Sequence, residues 1–212
     1  MDWLHIILLG IGAYLLGSVP TAIWIGKWFY GIDIREHGSG NAGFSNALRV
    51  MGWKAGIPVL LVDVAKGYFA VALAEIITHD ATSSISIQII AIAFGLLAFI
   101  GHLYPAFARF KGGKGVATGL GIIIAIYPLG SIVGLGVFVI IVLTFRMMSL
   151  SSMTAGLSFP FTVYFSQKLD DPVLFIFSCF IAVMIIYTHN SNIQRIIKGT
   201  ENKIWFKKPK EK

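Results

Sequence analysis

Lys111-Gly112-Gly113-Lys114-Gly115-Val116-Ala117-Thr118 begins with three glycines and two lysines in five positions. Glycine lacks a Cβ, so successive backbone N–H groups can turn toward one concave point. The lysines add positive charge there, and a helix starting at Val116 would aim its positive dipole end at the same place. Together these describe an anion site, and phosphate is the commonest such anion. The plainer reading of this stretch, taken alone, is a basic turn between membrane spans. It is not a Walker A loop, because Gly115 follows Lys114 where that motif needs Ser or Thr, and an apolar run precedes it. Nucleotide hydrolysis is not expected.

Two further stretches carry similar chemistry. Gly38-Ser39-Gly40-Asn41-Ala42-Gly43-Phe44-Ser45-Asn46 offers backbone and side-chain donors in a tight turn, and Arg49 follows with a planar fork suited to phosphate. A helix-capping loop is the structural alternative. Thr188-His189-Asn190-Ser191-Asn192-Ile193-Gln194-Arg195 spaces His189, Asn192 and Arg195 three apart, which makes a polar ridge on a helix. His189 can serve there as general base, proton donor to phosphate, or polar cap. The stretch from Arg146 to Ser152 reads as another hydroxyl-rich cytoplasmic turn. Asp63 and Lys66, at i and i+3 within an apolar run, pair as a structural feature facing the bundle interior. His102 stands near the end of the next apolar run and can likewise hold the bundle together. No His, Cys and carboxylate spacing suggests a metal, and no cofactor is expected.

These loops must be held by membrane helices. Of 212 residues, 56% are hydrophobic and 13% charged, against roughly 25% charged in soluble domains. The reading is an all-α integral membrane protein. Apolar segments lie at 3–25, 56–77, 85–107, 116–127, 129–145, 153–165 and 173–187, with Pro128 and Pro160 bounding or interrupting the shorter ones. The first three have the ~20 residues that cross a bilayer core. Seven spans, some short or broken, are predicted, with five as the rival count. Residues 1–202 form one polytopic domain and 203–212 a basic tail. The first run lacks a signal peptide's basic start and cleavage site, so it is read as a retained span. The single Cys179 excludes a disulfide framework.

With seven spans, 15 of the 17 basic residues fall on one side, Lys168 on the other and Lys66 within a span. The positive-inside rule puts the N-terminus outside, and the C-terminus and the three candidate loops in the cytoplasm. The net charge of +7 then meets anionic lipid or substrate, and nucleic acid is not expected. Small-residue pairs Gly115/Gly119 and Gly130/Gly134 are candidates for close helix approach.

The three stretches together resemble the motifs of the acyl-phosphate:glycerol-3-phosphate acyltransferases, the bacterial membrane enzymes usually called PlsY. The resemblance extends through Gly17-Ser18-Val19-Pro20, Asp63/Lys66-Gly67, His102–Pro105, Gly199 and Glu201. The family usually has Ala-Thr where Phe44-Ser45 stand, and Arg where Asn190 stands. What the resemblance implies is acyl transfer from acyl phosphate to the 1-hydroxyl of glycerol 3-phosphate, giving lysophosphatidic acid and phosphate. This is the first step of phospholipid synthesis in many bacteria. Ser39, Arg49, Lys114, His189 and Asn192 become the catalytic candidates. Gly40, Asn41, Asn46, Lys111, Gly112, Gly113, Gly115, Thr118, Ser152 and Arg195 become candidate phosphate ligands. The expected setting is a monomer in the bacterial inner membrane with its active site toward the cytoplasm. Thioester-using acyltransferases carry His-x₄-Asp, and no histidine here has Asp five residues later. The rival from another class is a phosphate transporter, though such carriers bind near the midplane between repeats, and no repeat occurs here.

Overall fold

Every regular element among the described residues is helical. The computed structural model describes residues 3–80, 87–167 and 170–204. Lys168 and positions 205–212 of the expected basic tail lie outside them. The chain divides into two compact units, Met1–Pro128 and Leu129–Lys212.

In the first unit, the run expected as one opening span is two helices, α1 (Trp3–Gly17) and α2 (Thr21–Tyr30), bent by 44°. The break falls at Ser18-Val19-Pro20, where proline has no N–H to continue the ladder. Then come α3 (Phe44–Met51), α4 (Trp53–Ala72), α5 (Ile87–Leu103) and α6 (Val116–Ile126). Helix α4 is central and packs against α1, α2, α3, α5 and α6. A Cβ at Gly67 would strike the Thr118 carbonyl oxygen, and one at Gly121 the Val64 carbonyl oxygen. Lipid tails are as apolar as the helices, so close backbone approach of this kind replaces water exclusion as the source of association. One buried cluster joins Ala13, Phe94 and Ala98. Another, Ile23, Ile34, Ala47, Met51 and Val59, lies among α2, α3, α4 and the loop after α2.

The second unit contains the bulk of α7 (Pro128–Phe145), then α8 (Met148–Gln167), α9 (Pro172–Thr188) and α10 (Asn190–Ile197). Asp171 caps α9, its Oδ1 accepting from the Leu174 N–H at 2.8 Å, and Pro172 occupies the first turn. Phe159 of α8 meets Phe177 of α9 edge-on at 6.0 Å. Pro128 does bound a helix as expected, whereas Pro160 lies inside α8 without ending it.

Among the described residues three helices are long and apolar enough to cross a membrane, at Trp53–Ile77, Ile87–Ala108 and Pro128–Phe145. There are up to five if each bent pair, α1 with α2 and α9 with α10, is one span. Helix α6, with 11 residues, reaches only ~16 Å against a hydrocarbon core of ~30 Å. Helix α8 is long enough but rich in Ser and Thr. Among the described residues the apolar segments are therefore present as helices, of which three to five pass as full-length spans.

Candidate functional site

The loop after α2 is built around Asn46. Its side chain is 1% exposed, its Oδ1 accepts from the Ser39 N–H at 2.8 Å, and its Nδ2 donates to the carbonyls of His37 (2.9 Å) and Ile34 (3.1 Å). Asn46, expected among the phosphate ligands, thus braces the loop from behind. Gly38, at φ 61°, sits so close that a Cβ would strike Asn46 Oδ1. Ser39, Gly40 and Arg49 are exposed and Asn41 is half-buried.

The glycines of the lysine loop have a different job from the one their sequence suggests. The Gly112 N–H donates to the Leu103 carbonyl and the Gly113 N–H to the His102 carbonyl, each at 3.1 Å. Two of the expected anion donors are therefore spent on the last turn of α5, whose carbonyls would otherwise lack partners. A Cβ on Gly112 would strike the His102 carbonyl oxygen, and one on Gly113 the His102 ring. Close approach to α5 is what excludes a side chain at both positions. Beyond them Lys114 is half-buried, Lys111 is exposed, and Gly115 turns into α6 at φ 81°. Thr118 is fully buried, with its backbone carbonyl against Gly67 of α4.

Asp33 and Arg35, which the motifs do not flag, fasten the two loops together. Arg35 grips Asp33 through Nε (2.9 Å) and Nη2 (2.7 Å), and its Nη1 donates to the Ala108 carbonyl at 3.1 Å, just before the lysine loop. The hydrogen bonds from Arg35 hold the Asp33 carboxyl well below the usual carboxylate range, and those bonds raise Arg35 in turn. Two consecutive residues after Ala108, Arg109 and Phe110, take left-handed φ of 55° and 58°. Such backbone costs energy and persists only where surrounding contacts hold it.

In the second unit the organising group is Glu201. Its Oε1 accepts from Ser149 Oγ (2.8 Å) and Asn192 Nδ2 (2.7 Å), and its Oε2 from Arg195 Nε (2.8 Å). Burial pushes the Glu201 carboxyl up, but the hydrogen bonds from Asn192, Ser149 and Arg195 outweigh it and leave it below its ordinary value. The Ile204 N–H donates to the Arg146 carbonyl at 2.8 Å, closing the segment onto the start of α8. The expected turn at 146–152 is mostly the first turns of that helix. Ser152 Oγ donates to the Met148 carbonyl at 2.8 Å, so Ser149 is the hydroxyl that joins the cluster.

His189 occupies the 60° break between α9 and α10 and is 3% exposed. Its Nδ1 lies 2.7 Å from the Ile185 carbonyl, which can only accept, so Nδ1 carries the proton. In the neutral ring Nε2 is then the basic nitrogen. The expected ridge is realised in part: Asn192 and Arg195 share a face of α10 and meet Glu201, while His189 caps the helix from outside. Among the described residues no group of three His, Cys, Asp or Glu side chains is placed to hold a metal.

The sequence profile described as glycerol-3-phosphate acyltransferase matches residues 7–199. A Bacillus anthracis protein, glycerol-3-phosphate acyltransferase 2, is 46% identical over 192 residues, covering 91% of this chain and 95% of its own. Two solved structures of PlsY, an integral membrane glycerol 3-phosphate acyltransferase, are each 35% identical. Its glycerol 3-phosphate form superposes with a TM-score of 0.83, covering 94% of this chain and 96% of that one. Its lysophosphatidic acid form gives 0.80, covering 94% and 95%.

Proposed function

This chain belongs to the glycerol-3-phosphate acyltransferase family, and we propose from that premise that it acylates glycerol 3-phosphate from acyl phosphate. The glycerol 1-hydroxyl oxygen attacks the acyl carbon and the bond from that carbon to the phosphate oxygen breaks. Lysophosphatidic acid and inorganic phosphate leave. The hydroxyl proton passes to a phosphate oxygen, whose second pKa of roughly 6 suits it as acceptor near neutrality. An acyl phosphate is already an activated anhydride, so positioning and charge stabilisation supply most of the rate.

The observation that supports this best is the pair of fastened loops in the first unit, where Arg35 ties the braced Ser39–Asn46 turn to the lysine loop. Lys114 and Arg49 hold substrate phosphate, with Ser39, Gly40, Asn41, Lys111 and Gly115 lining the same exposed side. Gly112, Gly113 and Asn46 shape that surface without touching the ligand. In the second unit His189 and Asn192 orient glycerol 3-phosphate, and Glu201 aims Asn192 and Arg195. The protein works as a monomer in the bacterial inner membrane, with its N-terminus outside and these loops in the cytoplasm. The 15-to-1 basic asymmetry is the support for that orientation. The test is donor dependence: purified protein is given glycerol 3-phosphate with acyl phosphate or with an acyl thioester. Lysophosphatidic acid from acyl phosphate alone is expected, and product from the thioester alone overturns the proposed donor.

A further inference from the structure

A set of buried polar groups adjoins the lysine loop, and the acyl-transfer chemistry does not use it. Asp63 and Lys66 of α4 pair at 2.8 Å, with side chains 2% and 4% exposed. Lys66 Nζ also donates to the Val19 carbonyl at the α1–α2 break (3.0 Å), and Thr21 Oγ1 donates to Asp63 Oδ1 (3.2 Å). His102 brings Nδ1 to 3.8 Å from the same Asp63 oxygen. A buried ion pair is a weak stabiliser, since removing two charges from water offsets most of their attraction. Its position suggests another use. The far nitrogen of the His102 ring, Nε2, lies where a Cβ on Gly113 would stand, and the Ala42 carbonyl of the first loop is 3.1 Å from that point. The His102 carbonyl accepts the Gly113 N–H. One residue therefore meets Gly113 with both its backbone and its ring, directly before Lys114.

We propose that His102 is a positioning residue for the lysine loop, seating Gly113 with one edge of its ring while the other edge faces Asp63, which Lys66 and Thr21 hold in place. This rests on the reading of Lys114 as a phosphate ligand. A misplacement of about 1 Å at a positioning contact can cost about a hundredfold in rate. Hence His102→Ala should lower kcat/KM for the phosphate substrates by about that factor in protein that still extracts as a monodisperse species. Gly113→Ala should do the same, because its methyl group meets the ring. The double variant should be no worse than Gly113→Ala alone, since both changes act through one contact.

The experiment combines these kinetics with a nitroxide at Phe110→Cys, in a Cys179→Ser background, whose spectrum reports loop mobility without needing activity. Sharpened spectra in both variants with non-multiplying kinetic losses are expected. Unchanged spectrum and kcat/KM in His102→Ala, or losses that multiply, overturn the proposal. Where His102→Ala fails to assemble, Gly113→Ala decides: normal kcat/KM and spectrum overturn it, and loss in assembled protein supports it. Lys114→Ala is run in parallel. Normal kinetics there defeat the functional reading, while the spectra still report whether His102 holds the loop.

Discussion

Glu201→Gln removes one charge at nearly constant shape from a carboxylate that three donors approach at 2.7–2.8 Å. Glutamine keeps one acceptor oxygen. Placed at the Oε1 position, it retains the Ser149 and Asn192 bonds as neutral ones, and Arg195 Nε then faces an NH₂ group. A hydrogen bond to a charged group contributes about 1.5–3 kcal/mol, and charge-assisted bonds are about twice as strong as neutral ones. Arg195 is partly exposed, so the low end of that range applies, and losing one and weakening two costs roughly 3 kcal/mol. At about 2–4 °C per kcal/mol for a chain of this size, Tm should fall by about 6–12 °C. The assay is intrinsic-fluorescence melting of the detergent-solubilised protein across pH. Because the folded carboxyl sits below its ordinary value of 4.5, its stabilisation is complete above that value. It fades as pH falls through the lower folded value. The gap between wild type and Glu201→Gln should therefore be constant near neutrality and narrow in acid. A gap under about 2 °C at neutral pH, or one that widens in acid, refutes the reasoning.

Asn46→Ala deletes three bonds to loop backbone; it should cost about 2–3 kcal/mol by melting, whereas Ser39→Ala, at an exposed position, should leave the melting temperature nearly unchanged. His189→Gln should mainly raise KM for glycerol 3-phosphate, with kcat within about tenfold, because glutamine bonds but cannot act as a base; a kcat loss of about a thousandfold at unchanged KM assigns the base to His189. Cysteines near Asp80 and Asp170, with Cys179 replaced, should react with an impermeant thiol reagent from outside intact cells, and cysteines near Gly113 and Lys208 should not. External labelling at Gly113 overturns the orientation.

Helix content and the limits of most apolar segments were legible because they depend on local composition. The site was legible as residue types and less so as roles. Gly112 and Gly113 read as anion donors, yet their N–H groups end α5, a fact set by how the chain folds back on His102. Asn46 and Thr118 were read as candidate ligands from their chemistry, which does not disclose that both side chains are buried. Glu201 and Arg35 act through partners between 2 and 73 residues away, so spacing rules see only fragments of their networks. Close helix approach was placed at Gly115/Gly119 and Gly130/Gly134; a Cβ at Gly115 would indeed strike the Phe99 ring, whereas at Gly119 and Gly134 the nearest neighbours would lie at 3.7 and 3.8 Å. Backbones also come together at Gly67 and Gly121, between α4 and α6, and at Gly17 and Gly101, between α1 and α5, pairs on different helices that no single-helix pattern announces.

The claim that the lysine loop holds substrate phosphate is tested most directly by steady-state kinetics of Lys114→Ala in monodisperse, normally melting protein. Removing one partner of a charged, desolvated contact costs about 2–5 kcal/mol. The expected result is a fall in kcat/KM of well over tenfold, with a milder loss for the exposed Lys111→Ala. Near-normal kinetics for Lys114→Ala would contradict the account.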